Sequence, residues 1–317
     1  MPRFVLWGRT MRACGIGEVL WDVFPDHEKF GGAALNFCAN LQRLGDQTTL
    51  LSAVGKDERG RMAMEKMRSL GLSTNGVEEV EALATGIAAV AIGSNGEPTF
   101  TIGRPAAFDA ISTSIDSAAA AQLKADGVKW IYYGTLLQTK PEIEQFTRDL
   151  VRHLFPVRAF YDINLRSGHW NLPLVKRLSE LASVVKLNET EAQTLFALTQ
   201  QGEIEFSIEG FCQIWASTFH VDVICVTLGP EGCMIYDKGA TYRVAGYAVE
   251  VCDTVGSGDA FAAAFLHGYD RGWPISQAAD FANALGALVA SRAGATPDWT
   301  INEVVAMTQA SKVARSM

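Results

Sequence analysis

No two cysteines stand at C-x-x-C spacing: Cys14, Cys38, Cys212, Cys225, Cys233 and Cys252 are scattered, mostly inside apolar segments. That scatter argues against zinc-ribbon and dithiol redox chemistry and reads as reduced, buried thiols. His27, His153, His169, His220 and His267 share no metal-ligand spacing. No apolar run approaches the roughly eighteen residues that a membrane helix needs, and the chain has no internal repeat, low-complexity tract or Gly/Ser linker. Basic residues are scarce relative to acidic ones, 27 against 35, and the net charge of −8 argues against a nucleic-acid binder, which needs a basic face to displace counterions. A nucleotide is still admissible, because local amides and a few cations can hold a triphosphate. No G-x-G-x-x-G follows the first strand, which argues against a Rossmann dehydrogenase.

What is present is an α/β alternation. With 317 residues, 48% of them hydrophobic, the chain is near the upper limit for one core, so one large domain with an accessory piece or two domains are expected. Arg12–Val23, 48–54, 128–133, 157–163, 184–187 and 221–228 read as strands, separated by helical patterns over 31–44, 56–70, 141–154 and 172–181. Strands joined through helices of this length imply right-handed crossovers, a mostly parallel sheet and a site at the carboxyl ends of the strands. Residues 84–103 break the rhythm: two extended runs, 85–92 and 97–102, meet at Ser94-Asn95-Gly96, a strong hairpin signal. With the extended segment 20–30, that hairpin makes a small sheet beside the main one. Met1–Thr10 is too short for a secretory signal and reads as an N-terminal extension, with Met11 as an alternative start and the cytoplasm as the expected location.

The chain is organised around residues 252–266, where Asp253, Gly256, Ser257, Gly258 and Asp259 precede a run of small and apolar residues. A loop feeding a helix N-terminus has unpaired amides and the positive end of the helix dipole, so Gly256, Ser257 and Gly258 can wrap a phosphate. A carboxylate next to an anion hole makes chemical sense as a general base, Asp259 taking the proton of a hydroxyl as its oxygen attacks a γ-phosphoryl group. The plainer alternative is an ordinary glycine turn with an acidic first-turn residue.

Asp253-Thr254-Val255-Gly256-Ser257-Gly258-Asp259 resembles the D-T-x-G-A-G-D signature of the ribokinase, or PfkB, family of sugar kinases, with Ser257 where alanine is commoner. Gly31-Gly32-Ala33-Ala34-Leu35-Asn36, followed by Gly45 and Gly55, is similar to that family's early glycine-rich signature. The resemblance implies a ribokinase-like three-layer α/β/α fold over residues 11–317, with a central, mostly parallel sheet and a small β-sheet lid from about 20–30 and 84–104. It implies ATP-dependent phosphorylation of a primary hydroxyl of a monosaccharide. Asp22, Gly32 and Asn36 would then hold the sugar, with Arg104 near it. Asp162-x-Asn164-x-Arg166 is similar to a run of fructokinase-like relatives, which places Asn164 and Arg166 by the sugar and makes fructose the first expectation. Ketodeoxygluconate, ribose and nucleosides stay open, as does a non-catalytic sugar- or nucleotide-binding relative.

Lys186-x-Asn188-x-x-Glu191 resembles the family's N-x-x-E element, in which Asn188 and Glu191 support phosphate and Mg2+ through water. Taken alone, Asn188 and Glu191 also read as a helix cap and its capping acid. Thr227, Gly229 and Gly232 match a T-x-G-x-x-G nucleotide loop, and Asn283 falls where the family places adenine. Asp253, Val255 and the Ser291–Gly294 turn resemble positions that bind a monovalent cation such as K+ in some relatives. An exposed lid sheet invites pairing with a second copy, so a homodimer is expected, with no nucleic-acid or membrane partner.

Overall fold

Strands with apolar residues on both faces can only be buried between two layers, and this chain has a run of them. The computed structural model describes residues 10–92, 98–200 and 205–315. Its first part comprises β1 (Arg12–Ile16), β2 (Leu20–Val23), β3 (Glu28–Gly31), α1 (Ala33–Arg43), β4 (Gln47–Gly55), α2 (Glu58–Ser69), β5 (Val77–Val80), β6 (Gly86–Ile92) and β7 (Pro98–Ile102). Next come α3 (Ala118–Asp126), β8 (Trp130–Gly134), α4 (Thr135–Gln138), α5 (Pro141–His153), β9 (Arg158–Asp162), α6 (Leu172–Ser179), β10 (Val184–Asn188), α7 (Glu189–Gln200) and α8 (Ile208–Phe219). The chain ends with β11 (Val223–Thr227), β12 (Cys233–Asp237), β13 (Ala240–Val244), α9 (Ser257–Asp270), α10 (Ile275–Ala290) and α11 (Ile301–Arg315).

Nine strands form one sheet in the order β13-β12-β11-β10-β9-β8-β1-β4-β5, parallel from β11 to β5 with β12 and β13 antiparallel at one edge. Along β8, Trp130 and Tyr132 enter the core shared with α1, α2, α9 and α10, while Ile131 and Tyr133 enter the core under α3 to α8. Period-two alternation into two apolar layers is what makes the fold three-layered. β1 lies between β4 and β8, so the chain runs outward from it in both directions, and such a switch point opens a crevice at the carboxyl ends of the strands.

The second sheet has the order β3-β2-β6-β7, with β2 and β6 parallel and the outer pairs antiparallel. The two extended runs of the expected hairpin are therefore paired, Ala88 opposite Ile102, although Ser94-Asn95-Gly96 and Met1–Arg9 lie outside the described residues. One reading needs correction: five of the six cysteines are buried, but Cys252 is exposed, because it sits in the loop that precedes α9 and not in an apolar segment.

The end of the sheet far from the crevice is closed by a buried polar knot. Asp46, 1% exposed, accepts from Met11 N at 3.0 Å, from Arg271 Nη2 at 2.8 Å and pairs with His267 Nδ1 at 2.7 Å. Burial alone would raise this carboxyl, but the His267 and Arg271 contacts outweigh it and hold the group below the usual carboxylate range. Removing one member of such a pair leaves buried charge unpaired. Asp46→Ala is therefore expected to lose roughly 3–5 kcal/mol in urea unfolding; a loss under about 1 kcal/mol would mean that the knot is incidental.

Candidate active site

The turn into α9 is built so that only glycine fits its first position. Gly256 has φ 80°, and a Cβ there would stand 2.2 Å from the Ala295 carbonyl oxygen. The loop is pinned in front by Asp253, whose Oδ1 accepts from Val255 N at 3.1 Å and whose Oδ2 accepts from Gly294 N at 3.1 Å and from Lys29 Nζ at 2.7 Å. Behind it, Ser257 Oγ donates to the Thr254 carbonyl at 2.8 Å. The Ser257 amide turns back to the same carbonyl at 3.3 Å, a long bond that a better acceptor would displace. Gly32 makes the facing turn, with φ 132° and its Cα so near the Glu18 carbonyl that a Cβ would come within 2.1 Å of the oxygen.

Asp259 lies in the first turn of α9 and is 9% exposed. Its Oδ2 accepts from Asn36 Nδ2 at 2.8 Å, a bond spanning 223 residues that joins the two glycine turns. Burial, reinforced by the charge of Asp162, pushes the Asp259 carboxyl up to about 7, against the opposing pull of Lys186, Asn36 and Arg166. Lys186, from β10, donates to both Asp162 oxygens at 3.0 and 3.1 Å, and Tyr132 donates to Asp162 at 3.1 Å. Burial works against the Lys186 ammonium, but Asp162 and Asp259 outweigh it and raise its pKa, so it stays charged beneath the loop. A carboxyl near 7 divides its time between both forms at neutral pH, which suits a group that must take and release a proton.

Two cavities meet here. The first, about 460 Å3, is polar and lined by Glu18, Asp22, Asn36, Asn164, Arg166, Lys186, Asn188 and Asp259 together with Gly32, Gly256, Ser257 and Gly258. The second, about 470 Å3, is largely apolar, with Pro230, Tyr247, Val249, Phe261 and Ala287 among its walls. Thr227, Gly229, Thr254, Ser257 and Gly258 belong to both, so the glycine loop is their common wall. Another cavity, about 550 Å3, sits at the amino ends of β1 and β4 by Arg12, Gln47 and Asp126. That is the wrong end of a parallel sheet for a site, and it carries no such loop.

Most of the residues singled out from sequence thus converge on the first cavity, Asp22 among them. Its carboxyl is lifted by burial to about 6, with Arg166 opposing. Asn164 holds φ 40° at the end of β9, an uncommon conformation for a non-glycine residue, while Arg166 is exposed at the rim. Gly232 and Asn283 line the second cavity, and Asn283 Nδ2 donates to the Val244 and Ala245 carbonyls at 3.0 and 3.2 Å. Two residues are placed differently. Arg104 is committed to the fold, donating to Asp109, to the Leu136 carbonyl at 2.9 Å and to Thr139 Oγ1 at 2.6 Å, and it is not in the cavity wall. Glu191 is buried behind the wall, and its two oxygens accept from Leu165 N at 2.7 Å and Asn188 N at 2.8 Å while Asn188 Oδ1 accepts from Glu191 N. That is a reciprocal capping box. Sequence reasoning assigned no role to Glu18 or Lys186; the signal was their position, each at or just past the carboxyl end of a central strand.

The family model for pfkB family carbohydrate kinases matches residues 11–302, and the chain belongs to that family. Among curated relatives, fructokinase-1 of Oryza sativa subsp. japonica is 28% identical over 92% of this chain and 95% of its own length. The fold matches that of a Xylella fastidiosa fructokinase solved with bound ATP, with a TM-score of 0.82 and 23% identity over 96% of this chain and 99% of that one. It also matches a Vibrio cholerae O395 fructokinase in a fructose-, ADP- and calcium-bound form, with a TM-score of 0.80 and 23% identity over 94% and 99% of the two chains. A double mutant of the latter, bound to fructose, ADP and potassium, gives 0.80 at 22% identity over 95% and 100%.

A carboxyl raised from 3.8 in the open chain to about 7 when folded costs stability that appears as pH rises through that window and is fully incurred above it. Asp259→Asn removes the charge, so it is expected to stabilise the protein by roughly 2–4 kcal/mol at pH 8 and to change little at pH 4. Equal denaturant midpoints for both proteins at pH 8 would show that the carboxylate is not destabilised.

Proposed function

We propose that this carbohydrate kinase transfers the γ-phosphoryl group of ATP to a primary hydroxyl of a neutral monosaccharide, with fructose as the preferred acceptor. The observation that carries the reading is the position of Asp259 on the polar side of a wall of main-chain donors, with the apolar cavity on the other side. A sugar in the first cavity and an adenine nucleotide in the second would meet across Gly256, Ser257 and Gly258. Asp259 takes the hydroxyl proton while the sugar oxygen forms its bond to phosphorus and the bond to the ADP oxygen breaks. The loop amides hold the charge that develops on the transferred group.

Asp22 and Asn36 suit sugar hydroxyls, since Asp22 offers acceptors and the buried Asn36 Oδ1 has no protein partner among the described residues. Gly32 gives its main chain to the same cavity, and Asn164 and Arg166 close the rim. Thr227, Gly229, Gly232 and Asn283 would receive the nucleotide. Mg2+ would neutralise the triphosphate it accompanies, met through water by Asn188 at the cavity wall, while Glu191, whose two oxygens are taken by main-chain N–H groups, holds Asn188 in place from behind; a fit at one remove suits an ion that keeps much of its hydration. The described residues hold no cluster of three His, Cys, Asp or Glu side chains for a directly ligated metal.

A neutral acceptor is favoured over an acid sugar because the carboxyl groups of Glu18, Asp22 and Asp259 line the cavity against Arg166 at its rim, while Arg104, the other cation expected near the substrate, is spent on Asp109. The four-stranded sheet is read as the lid, and a homodimer through its outer face, which carries Ile87 and Ala89, as the assembly. Buried unpaired thiols and the need for ATP favour the cytoplasm; among the described residues no helix is long and apolar enough to cross a membrane.

Turnover on a sugar panel tests this reading. Fructose is expected to exceed ketodeoxygluconate and ribose in kcat/KM by about tenfold or more, and Asp259→Asn to lower kcat by about 10²–10⁴-fold with intact sugar binding. Turnover by Asp259→Asn at the wild-type rate would eliminate the base, and sugar binding without turnover by the intact protein would favour a binding protein. Light scattering is expected to give twice the monomer mass; a monomer at all concentrations would remove the lid-to-lid contact.

A further inference from the structure

Lys29 stands on β3, two residues before the Gly31-Gly32 turn, yet its Nζ reaches the other signature and donates to Asp253 Oδ2 at 2.7 Å. The two side chains are 27% and 11% exposed, and the Phe24 ring lies 5.0 Å from the ammonium. Asp253 opens the loop that ends on Asp259. An unpaired carboxylate at that place would repel an arriving phosphate, so the loop needs a positive charge beside Asp253. The resemblance puts a monovalent cation there, and one of the related structures is described with potassium.

The residues present do not fit that ion. Both Asp253 oxygens already accept N–H donors, from Val255, Gly294 and Lys29. A second positive charge on the same carboxylate would be repelled by the ammonium already there. We propose that Lys29 is a tethered cation, whose ammonium gives the Asp253 loop the charge and bonding that a monovalent ion gives it in relatives. The kinase therefore works without potassium, and the same bond ties the small sheet to the phosphate-binding loop. Burial would raise Asp253, but Lys29 and the two amides hold it below its ordinary value, as a permanently paired carboxylate requires.

The proposal rests on the kinase reading for its meaning, and its test separates the two. Melting and turnover are measured in KCl and in tetramethylammonium chloride at equal ionic strength. The wild type is expected to melt and turn over alike in both salts. Lys29→Met is expected to lose about tenfold or more in turnover in tetramethylammonium, because the carboxylate is left unpaired, and to recover most of it in KCl. Its Tm without ATP or sugar is expected to rise by about 2–4 °C on exchange into KCl, an arm that a wrong sugar assignment does not touch. Lys29→Arg is expected to stay indifferent to the salt. Wild-type turnover that falls more than about fivefold without potassium would overturn the proposal, as would a Lys29→Met protein indifferent to potassium in both readouts. If Lys29→Met does not fold, the wild-type and Lys29→Arg comparisons decide by the same criterion, potassium dependence in either counting against it.

Discussion

The hydrogen bond from Asn36 to Asp259 is the contact on which the rest of this site depends. It holds a carboxylate out of water at the start of a helix, where burial works against the charge and the helix dipole works for it. The balance leaves Asp259 near neutrality in its proton affinity, with Lys186 and Asp162 setting the field from beneath. The proposed base, formed in this way, needs no histidine. It needs two turns, one at Gly32 and one at Gly256, brought within a hydrogen bond of each other although they are more than two hundred residues apart.

The sheet supplies that closeness. Because β1 lies between β4 and β8, the loops after β1, β9, β10 and β11 open on one crevice, and Glu18, Asn164, Asn188 and Thr227 each follow or end one of those strands. α1 and α9 pack side by side on one face of the sheet and point their first turns at the same place. The buried knot at Asp46 fixes the far end of α9 to the start of β1, so the two ends of the helix serve different tasks. One is structural, and the other carries a glycine turn and a carboxylate that line a cavity.

Much of this was legible in the sequence, for identifiable reasons. The central strands were found because both their faces are apolar, and the glycine turns because no other residue takes a positive φ against a neighbouring backbone. The Asn188–Glu191 capping box was readable from spacing alone. Part of what was missed lacked periodicity: α3 contains four consecutive alanines and no apolar stripe, and β5 and β13 are edge strands with mostly solvent-facing residues, whereas α8 carries a regular stripe, Ile208, Phe211, Cys212, Trp215 and Phe219, that was open to reading. The contacts that tune the site were invisible for another reason. Lys186 to Asp162, Lys29 to Asp253 and Asn36 to Asp259 join distant segments, and nothing local in the chain announces them. Arg104 shows the converse, an arginine claimed for the substrate whose partner Asp109 is only five residues away.

The account stands on a buried carboxylate poised to exchange its proton near neutral pH. The direct measurement is a carboxyl titration by 13C NMR of protein labelled at aspartate, with the Asp259 resonance identified by its absence in Asp259→Asn. The account predicts a midpoint close to 7. A midpoint at or below the ordinary aspartate value of about 4 would contradict it, because the carboxylate would then be stabilised by solvent or an ion pair and not poised to exchange its proton near neutral pH.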